Sequence, residues 1–208
     1  KTVWLMIPAG KPVDDMISSV KGYLSEGDTI VDGGNSFYKD AVRRHSELKK
    51  LKIDFLDAGV SGGIWGLKNG YCIMAGGQRE VFDRLTPALK DLAAERAYMF
   101  CGAPGAGHFV KMVHNAIEYG MMEAYAEGFE LLKSSEYGNV DLAEVSGLWM
   151  RGSVVRSWLL ELLEGALRKD KELSSIAGYV EDSGEGRWSV MDAVERGVNL
   201  PVITASLF

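Results

Sequence analysis

The sequence predicts a parallel α/β sheet followed by an all-helical segment, and three observations carry that expectation. Short apolar runs alternate with helical patterns over roughly the first hundred residues, as β-α-β crossovers do. The first run, Thr2-Val3-Trp4-Leu5-Met6-Ile7, is apolar without alternation, the pattern of a strand covered on both faces. Beyond Gly102-Ala103-Pro104-Gly105, long helical stretches reach the end of the chain with no clear strand signal.

Each element follows from local pattern. After Pro8-Ala9-Gly10, apolar residues at Met16, Ile17, Val20 and Leu24 give a helix, and Gly27-Asp28 precedes a short strand, Thr29-Ile30-Val31-Asp32. Gly33-Gly34 ends it, a charged helix follows from about Tyr38 to Leu51, and Ile53-Asp54-Phe55-Leu56-Asp57 makes a third strand. Strands at Tyr71–Ala75 and Ala97–Cys101 flank a helix from about Gln78 to Leu92. Right-handed crossovers are expected throughout. The domains expected are 1–104 and 105–208. Beginning inside a strand and stopping at Ala205-Ser206-Leu207-Phe208 without a polar tail reads as a chain cut from something longer. Trp158–Leu163 is apolar nearly all round its helix and is expected to be buried, as in a subunit interface. Arg43-Arg44 with Lys49-Lys50-Lys52 reads as a solvated helix face rather than a phosphate site.

Composition narrows the function classes. Of 208 residues, 47% are hydrophobic and 25% charged, which excludes a disordered or fibrous chain. The 25 glycines cluster between apolar runs without a collagen-like period. A net charge of −6 argues against nucleic acid or anionic lipid as a partner, so an anionic ligand requires a locally basic pocket. No stretch reaches the about 18 apolar residues of a membrane span and no signal peptide precedes the first strand, so no membrane partner and a cytoplasmic location are expected. Cys72 and Cys101 have neither CxxC nor zinc-ligand spacing; they are expected to be small buried thiols, and no metal site is expected.

The segment from Gly105 to Gly120 carries the chemistry. At about 100° per residue, Lys111, His114, Asn115 and Glu118 fall at i, i+3, i+4 and i+7 in one narrow stripe, with Tyr119 at its edge. Val110, Met112, Val113, Ala116, Ile117 and Met121 occupy the wider sector, so the helix is expected to be mostly buried. Buried charge must pair or face a cleft, which leaves a Lys111–Glu118 tie with a core histidine and a catalytic face as alternatives. Asp32-Gly33-Gly34-Asn35-Ser36 and Gly59-Val60-Ser61-Gly62-Gly63 both follow strands. Ligands of open parallel sheets bind at such carboxyl ends, where small residues bring backbone N–H groups close to an anion and Asn35 and Ser61 add hydrogen bonds. Two such loops with a polar stripe downstream favour a shared cleft.

Asp32-Gly33-Gly34-Asn35-Ser36, Ser61-Gly62-Gly63 and Lys111-Met112-Val113-His114-Asn115-Ala116-Ile117-Glu118-Tyr119-Gly120 together resemble the decarboxylating 6-phosphogluconate dehydrogenase family over essentially the whole chain. Trp65-Gly66-Leu67 is similar to its shorter prokaryotic branch. The resemblance implies an incomplete Rossmann-type domain followed by an all-α domain. It also implies NAD or NADP as cofactor, a sugar-phosphate acid as substrate, and a homodimer or homotetramer. The implied reaction converts 6-phosphogluconate to ribulose 5-phosphate and CO₂ in the pentose phosphate pathway. Lys111 is implied as general base and Glu118 as the acid that protonates C1. Asn35, Ser61, Gly62, Gly63, His114, Asn115 and Tyr119 are implied as substrate ligands, and Ile7, Pro8, Ala9 and Asn35 as the cofactor border. The base role requires Lys111 to start neutral, which burial or a neighbouring cation favours.

Two departures qualify the resemblance. No G-x-G-x-x-G turn is present; the family carries it upstream of the position of Lys1, so the chain alone is expected to be inactive or nearly so. Ser183 stands where longer relatives place a lysine, within Asp182-Ser183-Gly184-Glu185-Gly186-Arg187-Trp188, and Arg156 and Arg187 are candidates to replace its charge. Another β-hydroxyacid dehydrogenase and a non-catalytic ligand-binding remnant remain as alternatives.

Overall fold

The computed structural model describes residues 1–208. Backbone contacts divide the chain into two compact units, Lys1–Asn115 and Ala116–Phe208, with the division inside one long helix.

The first unit is built on a five-stranded sheet in the order β1 (Thr2–Leu5), β2 (Thr29–Asp32), β3 (Asp54–Ser61), β4 (Tyr71–Gly77), β5 (Ala93–Gly102). Helix α1 (Lys11–Val20) joins β1 to β2, α2 (Tyr38–Lys49) joins β2 to β3, and both junctions are parallel. The expected parallel sheet holds at three ladders, with one exception: β3 and β4 run antiparallel. Their link, residues 62–70 with the short helix α3 (Gly66–Asn69), is too short for a parallel crossover, which takes a dozen or more residues. Helix α4 (Arg79–Leu92) restores the parallel direction into β5.

Alternate strand residues feed two cores. On one face Leu5, Ile30 and Phe55 pack against Val13 and Ile17 of α1 and Ala41 and Leu48 of α2. On the other, Val31, Leu56, Ala58, Ile73 and Ala75 pack against Val81, Phe82, Leu85 and Leu89 of α4. Each fully buried Val, Leu, Ile or Phe among them contributes about 1.5–3 kcal/mol.

Four local expectations are corrected. β1 ends at Leu5 and pairs only with β2 inside this chain, leaving Met6 exposed rather than covered on both faces. Gly59, Val60 and Ser61 extend β3 instead of forming a loop. Cys72 is exposed and Cys101 half-buried, because strand alternation turns Cys72 away from the core that takes Ile73. Arg44, read as part of a solvated face, is 1% exposed and held by acidic partners from other elements.

The second unit is helical, as expected: α5 (Ala106–Ser134) runs into it, followed by α6 (Leu142–Trp149), α7 (Trp158–Lys169), α8 (Glu185–Arg196) and α9 (Pro201–Ala205). Asp141 caps α6 by accepting the Ala143 and Glu144 N–H groups, and Ser157 caps α7 through the Leu160 N–H. Phe129, Ala143, Leu160 and Leu167 form its core, with Trp149 edge-on to Phe129 at 5.6 Å. The Trp158–Leu163 segment is corrected here: Leu160 alone is buried, while Trp158 and Leu162 are exposed within the chain.

Candidate active site

The sequence-predicted residues divide between the units. Asn35, Ser61, Gly62, Gly63, Lys111, His114 and Asn115 lie in the first, and Glu118 and Tyr119 in the second.

In the first unit the start of α5 lies directly on the sheet. A Cβ added to Gly59 would come within 3.0 Å of the Lys111 Cβ and 2.9 Å from the Gly107 carbonyl oxygen. One added to Gly107 would meet the Asp57 carbonyl oxygen at 2.6 Å. Glycine at both positions therefore permits backbone contact between strand and helix.

The helix terminus is held by Asp57, which is fully buried. Its Oδ1 accepts the Gly105 N–H at 2.7 Å and its Oδ2 the His108 N–H at 2.9 Å. The His108 ring, 1% exposed, donates from Nε2 to the Asp32 carbonyl at 3.1 Å, while its Nδ1 has no protein partner. Asp32 accepts the Gly34 N–H on Oδ1 and Arg44 Nη1 on Oδ2 at 3.1 Å. Arg44 also donates to Asp14 and to the Gly10 carbonyl, so one guanidinium braces the turns after β1 and β2. Burial raises the Asp14 carboxyl, but hydrogen bonds and charge from Arg44 and Arg43 outweigh it and hold the group below the usual carboxylate range.

A second chain of hydrogen bonds closes the site. His114 Nδ1 lies 3.0 Å from Asn115 Oδ1, an acceptor only, so Nδ1 carries the proton. On the other side of the ring, Nε2 lies 3.4 Å from Ser61 Oγ. Gly62 and Gly63, at φ of 127° and 49°, turn the chain immediately after Ser61 in conformations that disfavour a side chain. Lys111 and Asn115 are each 6% exposed. The expected burial of the helix holds for Lys111, Asn115, Met112 and Ala116, is partial for His114 and Glu118, and is corrected for Val110, Val113, Ile117 and Met121, which are exposed within the chain.

At the strand exits, Pro8 and Asn35 are exposed and Ile7 and Ala9 half-buried. A Cβ on Gly34 would stand 2.6 Å from the Ile7 carbonyl oxygen, so the two exits touch through backbone.

In the second unit Glu118 and Tyr119 are half-buried. Ser183 Oγ donates to Glu185 Oε2 at 2.6 Å and therefore accepts from Tyr119 Oη at 2.9 Å. Burial raises the Tyr119 phenol; the Ser183 contact opposes this, and the charges of Glu185, Glu118 and Asp182 add to it. Of the two arginines expected to replace a phosphate-binding lysine, Arg187 pairs with Asp182 at 2.7 Å and Arg156 is exposed.

Sequence reading missed Asp57 and Arg44. A polar residue at Asp57, between the apolar Leu56 and Ala58 in a strand core, is the signal that could have found the first. Arg44 has only the i,i+4 spacing from Asp40 in α2 as a local signal, and its closer partners, Asp14 and Asp32, lie on other elements.

Residues 1–102 match the NAD binding domain of 6-phosphogluconate dehydrogenase, and residues 107–208 match that enzyme's C-terminal domain. The protein YqeC of Bacillus subtilis (strain 168), provisionally named a 6-phosphogluconate dehydrogenase, is 44% identical over all of this chain and 69% of its own length. The NAD(+)-dependent, decarboxylating 6-phosphogluconate dehydrogenase of Haloferax volcanii is 41% identical over all of this chain and 69% of its own. Among solved structures, Plasmodium falciparum 6-phosphogluconate dehydrogenase, studied apo and with NADP+ or 6-phosphogluconate, superposes with a TM-score of 0.88 at 33% identity. That match covers 99% of this chain and 46% of the Plasmodium chain. With both domains matched in order and more than two-thirds of two relatives covered, this chain belongs to the 6-phosphogluconate dehydrogenase family.

Proposed function

We propose that this chain carries the reaction centre of an NAD- or NADP-dependent enzyme that oxidises and decarboxylates 6-phosphogluconate to ribulose 5-phosphate. The observation that carries the reading is Lys111, buried on the bare backbone of Gly59 beside the Ser61–His114–Asn115 chain at the carboxyl end of β3. Lys111, entering as a neutral amine, takes the C3 hydroxyl proton as hydride leaves C3. As an ammonium it then polarises the new ketone while the β-keto acid loses CO₂. Glu118, two turns along the same helix at about 10 Å of axial rise, protonates C1 of the resulting enediol. Ser61, Gly62, Gly63, His114, Asn115, Tyr119 and Asn35 hold the substrate.

The cofactor fits these residues at one end. Backbone at Gly34 against Ile7, with Pro8 and Asn35 exposed, leaves a surface with little side-chain bulk at two adjacent strand exits. Ile7, Pro8, Ala9 and Asn35 would border the nicotinamide, which when bound supplies the hydride acceptor. The sequence holds no G-x-G-x-x-G turn to seat the pyrophosphate.

A second reading is favoured by one observation. Ser183 is engaged with Glu185, and Arg187 with Asp182, where a phosphate would need cations. A dehydrogenase for an unphosphorylated 3-hydroxy acid would use Lys111 and Asn115 without a phosphate site. Turnover of 6-phosphogluconate, gluconate and 3-hydroxyisobutyrate separates the two, in the protein extended upstream to the length of its relatives. The proposal expects 6-phosphogluconate to be preferred by kcat/KM, and a preference for either of the others would overturn it. Ligand binding without any reduction of NAD+ or NADP+ in that extended protein would support a non-catalytic remnant instead.

A further inference from the structure

Three alternate residues of β3 each meet α5 at a different point: Asp57 meets the Gly105 and His108 amides, Gly59 lies under Lys111, and Ser61 reaches His114. Residues two apart in a strand share a face, so one edge of side chains sets the register of the helix against the strand. Only the first of these contacts uses strong, directional bonds. Gly59 restrains the helix by contact alone, and the Ser61 bond is 3.4 Å long.

The helix needs this anchor because its own sequence supplies none. The first N–H groups of a helix have no partner within it and are usually met by a side chain at the N-cap. Here Pro104 and Gly105 stand at that point and carry no acceptor. Asp57 meets two of those donors from another element, and its carboxyl group also complements the positive end of the helix dipole. His108 adds a second tether, its ring reaching the Asp32 carbonyl at the neighbouring strand end.

We infer that Asp57 is a positioning residue, a register pin that holds the first turns of α5, and with them Lys111, over Gly59. It touches no reacting atom; it acts through the helix it caps. The consequence for catalysis rests on the role proposed above for Lys111, whereas the register itself does not.

The test uses Asp57→Asn in the protein extended to its relatives' length, with two readouts. The first is the rate at which Lys111 is acylated by acetic anhydride, followed by mass spectrometry and normalised to exposed Lys50. The second is the division of any loss between kcat and KM for 6-phosphogluconate. The pin predicts Lys111 labelling faster by about fivefold or more and kcat lower by about 10- to 100-fold with KM within about threefold, as a misplaced reacting group requires. Asp57→Ala, which removes both acceptors, should exceed Asp57→Asn in each; if it fails to fold, the asparagine variant decides. A folded Asp57→Asn protein with the parent's Lys111 labelling rate overturns the inference. Should the unsubstituted protein fail to oxidise 6-phosphogluconate, the proposed reaction falls, and the labelling comparison alone decides the pin.

Discussion

Substituting Gly59 by alanine places a methyl group where β3 and α5 share backbone contact. The new Cβ would stand 2.9 Å from the Gly107 carbonyl oxygen and 3.0 Å from Lys111 Cγ, and closer still to Lys111 Cβ, whereas ordinary contact begins at 3.4 Å. Neither the Gly107 carbonyl nor the Lys111 Cβ is the tip of a flexible side chain, so α5 itself has to move, by about 0.5–1 Å. Overpacking of this kind costs about 1–3 kcal/mol of stability. A displacement of about 1 Å at a reacting group costs up to about 100-fold in rate. In the protein extended to its relatives' length, urea unfolding and, for the proposed reaction, steady-state reduction of NAD+ or NADP+ with 6-phosphogluconate measure the two effects on one preparation. Gly128→Ala, on the exposed part of α5 with open space around it, serves as the control and should stabilise by about 0.5–1 kcal/mol. A Gly59→Ala protein with parental stability and parental kcat would refute the close packing on which the site's geometry depends.

Two further predictions concern the frame around the site. Arg44→Met removes one partner of an ion pair in which Arg44 is 1% exposed and Asp32 fully buried, and should cost about 3–5 kcal/mol by urea unfolding; Arg44→Lys, which keeps the charge without the planar fork, should fall between. His45 is held below its ordinary value of 6.5 by burial and then by the charge of Lys49. Because the folded form resists protonation, the associated stability is fully present above 6.5 and is lost as pH falls from there through the folded value. The urea midpoint should therefore drop on that acid side in the parent and less so in His45→Gln; equal drops in both would contradict the assignment.

What could be read without coordinates is what short-range pattern encodes. The β-α-β alternation, the glycine turn at Gly33-Gly34 and the polar stripe Lys111-His114-Asn115 are spaced within single elements, and the structure places them on β2, α5 and their junctions. What escaped depends on long-range contact. Asp57 and Gly105 are 48 positions apart, and nothing near either announces the bond between them. Arg44 sits in a run that looks solvated until Asp32 and Asp14 arrive from other elements. The antiparallel β3–β4 ladder follows from the length of a link, which was legible, and not from the strands themselves, which look alike in either direction. Residue type alone points Cys72 to the interior, whereas strand alternation gives the inward position in β4 to its neighbour Ile73.

In the proposed mechanism one helix supplies both the base and the acid. Following NAD+ or NADP+ reduction, CO₂ release and deuterium uptake at C1 in heavy water for Lys111→Ala and Glu118→Gln, in the protein extended to its relatives' length, separates the two roles. Loss of all three signals in Lys111→Ala, together with retained hydride transfer but impaired C1 labelling in Glu118→Gln, is the predicted result. Near-parental reduction, CO₂ release and labelling in both folded variants would contradict it.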